Sequence, residues 1–173
     1  MVKAGDTHAC ALLEDGAVMC WGENNYGAVG DSTSTDRRTP VSVNFGNGIT
    51  AKSIALGSNT SCAILSSGEL RCWGCNLSGR LGIGSDTDQS VPVAVDLGPG
   101  RTAKQVAFGV NHACAILDDD TLKCWGYAGS GKLGNGSNGA FGVWAPPSAP
   151  VKMPASRWVK GVVTGSDHTC AVL

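Results

Sequence analysis

The sequence predicts an all-β protein, an incomplete β-propeller of about three four-stranded blades with partial blades at its two ends. The first observation is a repeat of about fifty residues, a period typical of propellers and solenoids. The second is the series of short apolar runs between turn residues inside each repeat. The 173 residues include 25 glycines, as many tight turns require. Sustained helical periodicity is absent from the sequence.

The repeat has three ungapped cores and the start of a fourth, which are residues 5–30, 57–82, 109–134 and 165–173. The second repeat contains four strand candidates, at residues 53–56, 62–65, 69–73 and 91–97. Four short antiparallel strands in each repeat are what a propeller blade needs. We therefore expect residues 1–173 to form a single incomplete propeller.

A hairpin with two cysteines recurs in each core. In the first core, the loop Glu14–Gly16 fits a type I turn closed by a left-handed residue. Counting outward from it opposes Leu12 to Val18 and Cys10 to Cys20, and a non-hydrogen-bonded pair of this kind can carry a disulfide. The predicted pairs are Cys10–Cys20, Cys62–Cys72 and Cys114–Cys124. In the third hairpin, Asp120 must take the left-handed position.

The state of these cysteines bears on localisation. Disulfides predict an extracellular or lumenal protein, because cytosolic thiols stay reduced. Free thiols would be small buried hydrophobes and would fit a cytoplasmic protein. Three recurrences at one spacing favour the disulfides, while Cys75 and Cys170 are left without partners.

Charge and hydropathy argue against two classes of partner. Lys and Arg number 13 against 14 Asp and Glu, and the chain lacks the long basic run that phosphate backbones favour, so we expect no nucleic acid partner. The sequence shows neither an apolar run long enough to span a bilayer nor a signal-peptide pattern, so we expect no membrane insertion.

The pattern G-x-x-H-x-C-A-L followed by D-G-x-V-x-C-W-G-x-N-x-x-G-x-x-G resembles the repeat of the regulator of chromosome condensation family over essentially the whole chain. Thr60, Val29 and Asp120 depart from it. The resemblance implies a closed propeller with more blades than this chain holds. We therefore expect either a piece of a longer product, with the remainder of its own propeller as a partner, or self-association.

Three tryptophans and the glycines after them occupy equivalent blade positions and are predicted to be structural. They are Trp21, Trp73, Trp125, Gly22, Gly74 and Gly126. A ligand-stacking array of the tryptophans is the alternative.

Metal binding and catalysis find little support. A His-x-Cys pair followed by a cysteine suggests zinc, but each blade offers only three ligands and Thr60 breaks the set. Nucleophile-elbow and phosphate-loop motifs are absent. We expect no metal, no cofactor and no catalytic residues.

Residues that differ between copies are the better candidates for binding, because loops on a rigid scaffold usually carry specificity. The candidate contact residues are Arg37, Arg38, Asp86, Asp88, Phe141 and Trp144. The sequence thus predicts a non-catalytic scaffold that binds a protein ligand. Guanine-nucleotide exchange on a small GTPase, the activity of the family's namesake, is the alternative.

Overall fold

The computed structural model describes residues 1–136, 144–145, 150–154 and 158–173. Within these residues the chain forms fourteen strands in four antiparallel sheets, with two 3-10 turns at Leu77–Gly79 and Gly129–Gly131. The predicted all-β class is confirmed.

Each of the first two sheets is a meander of four consecutive strands. The strands of the first sheet are β1 (Val2–Ala4), β2 (His8–Leu12), β3 (Val18–Gly22) and β4 (Arg37–Ser42). Those of the second are β5 (Ala51–Leu56), β6 (Thr60–Leu65), β7 (Leu70–Gly74) and β8 (Gln89–Ala94). The four strand candidates of the second repeat are therefore confirmed, with boundaries that shift by a few residues.

The third sheet repeats the meander, and the last sheet has two strands. The strands of the third are β9 (Ala103–Phe108), β10 (His112–Leu117), β11 (Leu122–Tyr127) and β12 (Trp144–Ala145), and those of the last are β13 (Gly161–Thr164) and β14 (Thr169–Val172).

The hairpin register is the predicted one. Leu12 pairs with Val18 and Cys10 with Cys20, and the Leu13 N–H donates to the Ala17 carbonyl at 2.9 Å. The closing residue of the third hairpin, Asp120, has φ +62°. An aspartate therefore takes a left-handed conformation that suits glycine better.

The chain folds as two compact units. Unit 1 comprises Met1–Asn76 and Thr87–Val95, and unit 2 comprises Leu77–Asp86 and Asp96–Leu173. The core of unit 1 is formed by Cys10, Leu12, Val18, Cys20, Val29, Val43, Phe45, Ala51, Ile54, Ala63, Leu65 and Trp73. The core of unit 2 is formed by Cys114, Ile116, Leu122, Cys124, Ala128, Leu133, Val159 and Val162.

Burial differs between equivalent strands. Both faces of β6 and of β10 are buried along the whole strand. In β2 only one face is buried. His8, Cys10 and Leu12 lie on that face, and the two residues between them are half-buried.

The edge strands β4 and β8 each contain a proline at an outward position. Val41 pairs with Cys20, and the Val43 N–H donates to the Val18 carbonyl at 2.9 Å, so these two valines direct their backbone groups toward β3. Pro40 precedes Val41, so its backbone nitrogen points away from β3. In β8, Pro92 precedes Val93, which pairs with Cys72, so its nitrogen points away from β7 in the same way. Since proline has no N–H, each edge lacks a donor at that point.

Candidate functional site

All three predicted cysteine pairs are joined in the structure. The Cα atoms are 4.1 Å apart in Cys10–Cys20, Cys62–Cys72 and Cys114–Cys124. Among the cysteines, Cys75 is free and buried, and Cys170 is free and exposed. The hairpins can thus accommodate the disulfides, and the compartment that would maintain them stays a prediction.

Two tryptophans are completely buried against a turn of the preceding copy. The Trp73 indole Nε1 donates to the Ala28 carbonyl at 2.9 Å, and the Trp125 Nε1 donates to the Arg80 carbonyl at 3.0 Å. A Cβ on Gly30 would lie 2.5 Å from the Trp73 Nε1, so the turn can approach the ring only because that residue is glycine. We call this arrangement of a carbonyl and a glycine beside the next copy's indole the indole slot.

Trp21 differs from its two equivalents. It is half-buried, whereas Trp73 and Trp125 are completely buried. Trp73 also contacts the Phe45 ring edge-on, with centroids 5.8 Å apart. Packing therefore accounts for Trp73 and Trp125, and a surface array of stacked ligands would require exposed rings.

The glycine after each tryptophan is required by two independent constraints. Gly22, Gly74 and Gly126 have φ values of +114°, +99° and +100°, in the region that L side chains rarely adopt. A Cβ would also lie 2.4 Å from the Asn59 carbonyl oxygen in the case of Gly74. Any side chain there would displace the backbone of the paired strand.

A histidine relay links one copy to the next. In unit 1 the Ser61 hydroxyl donates to the Ala28 carbonyl at 2.8 Å, so the His8 Nε2, 2.7 Å from the Ser61 Oγ, must be the donor of that contact. In unit 2 His112 Nε2 contacts Thr169 Oγ1 at 2.9 Å. The Thr169 hydroxyl in turn donates to the Lys132 carbonyl.

Both relay histidines are poor bases. Within the described part of the chain, the Nδ1 atoms of His8 and His112 are buried without a hydrogen-bond partner. Burial lowers the pKa of His8 below its usual value, against the opposing effect of the Ser58 backbone and the Asp6 carboxylate. Burial and the Lys132 ammonium lower the pKa of His112 to about 4. Neutral imidazoles at neutral pH fit the relay, in which Nε2 donates and Nδ1 stays unprotonated.

A second side-chain link involves two buried cations of unit 2. Arg80 is 6% exposed and donates from its guanidinium to the Asn111 side-chain oxygen at 2.6 Å. Lys132, at the equivalent position one copy later, pairs with Asp167 and lies 4.7 Å from the centre of the Tyr127 ring. The hydrogen bond from Lys132 holds the pKa of Asp167 below its ordinary value.

A buried asparagine holds the loop between β3 and β4. Asn24 is fully buried; its side-chain oxygen accepts from the Val29 N–H at 2.9 Å, and its amide nitrogen donates to the Thr33 and Thr35 carbonyls. Asn76, also fully buried, donates to the Thr87 carbonyl in the same way. These bonds close each loop at its base.

The structure assigns structural contacts to two of the predicted contact residues. Arg37 pairs with Asp31, whose pKa is held low, despite partial burial, by hydrogen bonds from Thr33 and Arg37. Asp88 accepts a hydrogen bond from the Asn76 backbone N–H at 2.7 Å.

The other predicted contact residues are placed differently. Arg38 and Asp86 are exposed. Trp144 lies in β12, where its backbone pairs with Tyr127. Phe141 lies outside the described residues.

The sequence reasoning did not single out three exposed apolar side chains. Tyr26 is 44% exposed and Leu77 59% exposed, each at a tip that follows a repeat tryptophan strand. Trp158 is 62% exposed beside a cavity that Lys104 and Lys160 also line. The sequence marks these three residues in one way: each differs from the residues at the same position of the other copies, although its neighbours repeat.

Two further classes of site find no residues here. In the described part of the chain, no group of three His, Cys, Asp or Glu side chains could hold a metal ion. The described residues also include no helix long and apolar enough to cross a membrane.

The sequence matches two models of one repeat family. One model, described as the regulator of chromosome condensation (RCC1) repeat, matches residues 2–28, 51–80 and 103–132. A second model with the same description matches residues 67–116 and 119–172.

Two curated proteins illustrate the similarity. The ultraviolet-B receptor UVR8 of Arabidopsis thaliana is 35% identical over 136 residues, which are 78% of this chain and 31% of UVR8. The human E3 ubiquitin-protein ligase HERC2 is 37% identical over 139 residues, which are 79% of this chain and 3% of HERC2. The chain thus spans less than a third of the length of either relative.

Solved structures share the fold. Prp20p of Saccharomyces cerevisiae, whose structure was described together with its binding properties to Gsp1p and histones, matches with a TM-score of 0.79 at 24% identity over 99% of this chain and 41% of Prp20p. The ectodomain of the Physcomitrella patens receptor kinase CR4 matches with a TM-score of 0.55 at 20% identity over 95% of this chain and 33% of that one. Together with the repeat matches, these similarities show that the chain belongs to the regulator of chromosome condensation (RCC1) repeat family.

Proposed function

We propose that this chain is part of a non-catalytic scaffold that binds a protein ligand through the loops between the third and fourth strands of its sheets. The observation that carries the proposal is the loop frame itself. Asn24 and Asn76 close the two loops at their bases in the same way, whereas the tip residues differ, with Asn25 and Tyr26 in the first copy at the positions that Leu77 and Ser78 take in the second. Variable residues on a rigid frame are the usual arrangement of a recognition surface.

The chemistry of the tips suits protein recognition. Tyrosine is enriched in the energetically dominant positions of protein interfaces. Arg38 is exposed at the start of β4, where the loop of the first copy ends. We include Arg38 and Tyr26 in the proposed contact surface of unit 1, and Leu77 and Asp86 in that of unit 2.

The proposal includes an extracellular or lumenal location. Three hairpins whose cysteines reach disulfide distance support it, because such bonds persist in oxidising compartments. The CR4 ectodomain provides a precedent for this fold at the cell exterior. With free thiols instead, the cytoplasm would be the location.

Site-specific photo-crosslinking tests the binding surface. A photoreactive phenylalanine analogue is placed at Tyr26 or at Leu77, and in a control at Leu13. Leu13 is 45% exposed, close to the exposure of Tyr26, but it lies at the opposite end of β3. We expect one and the same crosslinked protein from the Tyr26 and Leu77 positions in the medium or lumen of the source cells, and none from Leu13. Equal crosslinking from all three positions would refute the loop surface.

Nucleotide exchange on a small GTPase is the second candidate. Its support is the fold shared with Prp20p, whose binding to Gsp1p is described. Mass spectrometry of non-reduced protein from its source, together with release of a fluorescent guanine nucleotide from a small GTPase of the same source, separates the two candidates. Intact hairpin disulfides without nucleotide release favour the scaffold, and free thiols with accelerated release favour exchange.

A further inference from the structure

A turn of unit 1 contains an exposed asparagine followed by glycine. Residues 46–49 lie in the loop between β4 and β5, and all four are exposed. The Ile49 N–H donates to the Gly46 carbonyl at 3.3 Å. Gly48 has φ +71°, and Asn47 is not among the non-glycine residues with a positive φ. This is the pattern of a type II turn with Asn47 and Gly48 at its two central positions.

The next copy of the repeat forms the same turn with proline in the place of Asn47. The Arg101 N–H donates to the Gly98 carbonyl at 3.2 Å, and Gly100 has φ +68°. Pro99 stands between the two glycines. Proline is favoured at the first central position of a type II turn, because its fixed φ suits that position. The turn of unit 1 therefore does not require an asparagine at 47.

The peptide nitrogen of Gly48 is open to attack chemistry. Among the described residues, no acceptor bonds to the Gly48 N–H. A Cβ built on Gly48 would meet no heavy atom within 4 Å, and glycine itself has no Cβ. Neither a hydrogen bond nor a side chain therefore keeps this nitrogen from the exposed side chain of Asn47.

Asn44 is also exposed, but its surroundings differ. Its side-chain oxygen accepts from the Gly46 N–H at 2.9 Å. The residue after it is Phe45, which is 6% exposed and contacts the Trp73 ring edge-on. The backbone nitrogen that follows Asn44 thus belongs to a packed residue, so Asn44 is an internal reference for Asn47.

We propose that Asn47 is a modification site, at which the side-chain amide converts to aspartate and isoaspartate in the folded protein without an enzyme. Asparagine is one of the thermolabile residues of proteins, and Asn47 combines exposure with an unshielded glycine nitrogen. The inference does not depend on the protein-binding role proposed above.

The reaction needs water as its only co-reactant. The Gly48 nitrogen loses its proton to solvent and attacks the side-chain carbonyl carbon of Asn47. A carbon–nitrogen bond forms to that carbon, and the side-chain amide nitrogen leaves as ammonia. Water then opens the cyclic succinimide at one of its two carbonyls. Opening at one gives aspartate, and opening at the other gives isoaspartate, in which the main chain runs through the former side chain.

The two products should affect unit 1 differently. The turn directly follows Phe45, whose carbonyl accepts from the Arg71 guanidinium at 2.8 Å and whose ring packs on Trp73. Isoaspartate lengthens the main chain by one carbon between Phe45 and β5, whereas aspartate adds only a charge. We therefore expect isoaspartate at 47, and not aspartate, to lower the thermal midpoint.

The test follows the whole 173-residue chain during incubation under non-reducing conditions. Peptide mapping by mass spectrometry locates each converted asparagine, which separates Asn47 from the other Asn-Gly pairs at 135 and 138. A protein isoaspartyl methyltransferase counts the isoaspartate. We expect conversion at Asn47 to be about tenfold faster at pH 8 than at pH 7, because the attack requires removal of one amide proton, and Asn44 to stay intact.

A synthetic peptide of residues 44–50 gives the rate without the fold. Exposed segments open at little free-energy cost, so the folded chain should convert within about tenfold of the peptide rate. A rate about a hundredfold below that of the peptide would show that the fold protects the site. Such protection, or equal conversion at Asn44 and Asn47, would overturn the proposal.

Two pairs of variants provide matched controls. Alanine is strained at both Gly46 and Gly48, with φ +106° and +71°, but only G48A places a methyl group beside the attacking nitrogen. We expect G48A to slow conversion at Asn47 and G46A to leave it fast. N47P, which copies the turn of the next copy, should keep its thermal midpoint during the incubation, and N47D should melt above aged wild type. An equal decline of the midpoint in N47P and wild type would contradict the proposal.

Discussion

Acidification should destabilise this protein through His112. Burial and the Lys132 ammonium lower the pKa of His112 to about 4 in the folded chain, whereas an unfolded chain has the ordinary value of about 6.5. The unfolded state therefore takes up the proton first as the pH falls. The contribution of His112 to the free energy of unfolding is complete above about pH 6.5 and is lost as the pH falls toward about 4.

The size of this effect follows from the shift. Each pKa unit is worth about 1.4 kcal/mol, so the free energy of unfolding should fall by about 2 kcal/mol between about pH 7 and pH 4.5 from this residue alone. His8, whose pKa is also lowered, acts in the same direction. The ionised carboxylates that accept hydrogen bonds, such as Asp31, lose their contribution only at lower pH, because their pKa values are lowered too.

Urea unfolding of the wild type and of H112Q under non-reducing conditions measures the effect. Glutamine keeps a side-chain N–H donor and does not titrate, so most of the pH difference that His112 causes should disappear in this variant. His168 is the exposed repeat equivalent of His112. H168Q should therefore leave most of the pH difference in the free energy of unfolding. If the wild type and H112Q lose the same free energy of unfolding on acidification, His112 is not the source of the acid sensitivity.

Three more predictions concern packing and backbone. W73A should lower the free energy of unfolding by about 3 to 5 kcal/mol, the range for large buried aromatics. W21A should lower it clearly less, because Trp21 is half-buried, and similar losses for both variants in chemical denaturation would contradict the indole slot. G82A should be more destabilising than G84A, since both glycines have nearly the same φ but only a Cβ on Gly82 would meet an indole, at 2.6 Å; equal midpoints would show that the ring yields. D120G should raise the thermal midpoint slightly, by relief of about 1 kcal/mol of left-handed strain. Asp120 also pairs with the Lys104 ammonium at 2.7 Å, and a lower midpoint would mean that this ion pair outweighs the strain.

The fold could be predicted because the repeat encodes it several times. Hairpin loop length and cysteine spacing set the register of β2 with β3, and the same count applies in every copy. Glycine at 16 and aspartate at 120 were readable as the same left-handed position.

The contact residues were harder to predict, because charge and aromaticity in a loop do not reveal which side chains the loop itself uses. Arg37 and Asp88 serve their own loops, and the exposed Tyr26 and Leu77 were overlooked. The two side chains of each histidine relay come from neighbouring copies of the repeat. His8 contacts Ser61, and His112 contacts Thr169. The relay becomes recognisable only when the distance between the two side chains is known.

The prolines of β4 and β8 have a consequence for the behaviour of the protein at high concentration. A sheet edge with regular donors and acceptors can template a strand of another molecule. Pro40 and Pro92 interrupt the donor row at the edges that face outward, so two molecules that meet there cannot extend a continuous ladder. Replacing both prolines with valine should leave the fold intact and shorten the time before fibrils or precipitates appear on storage.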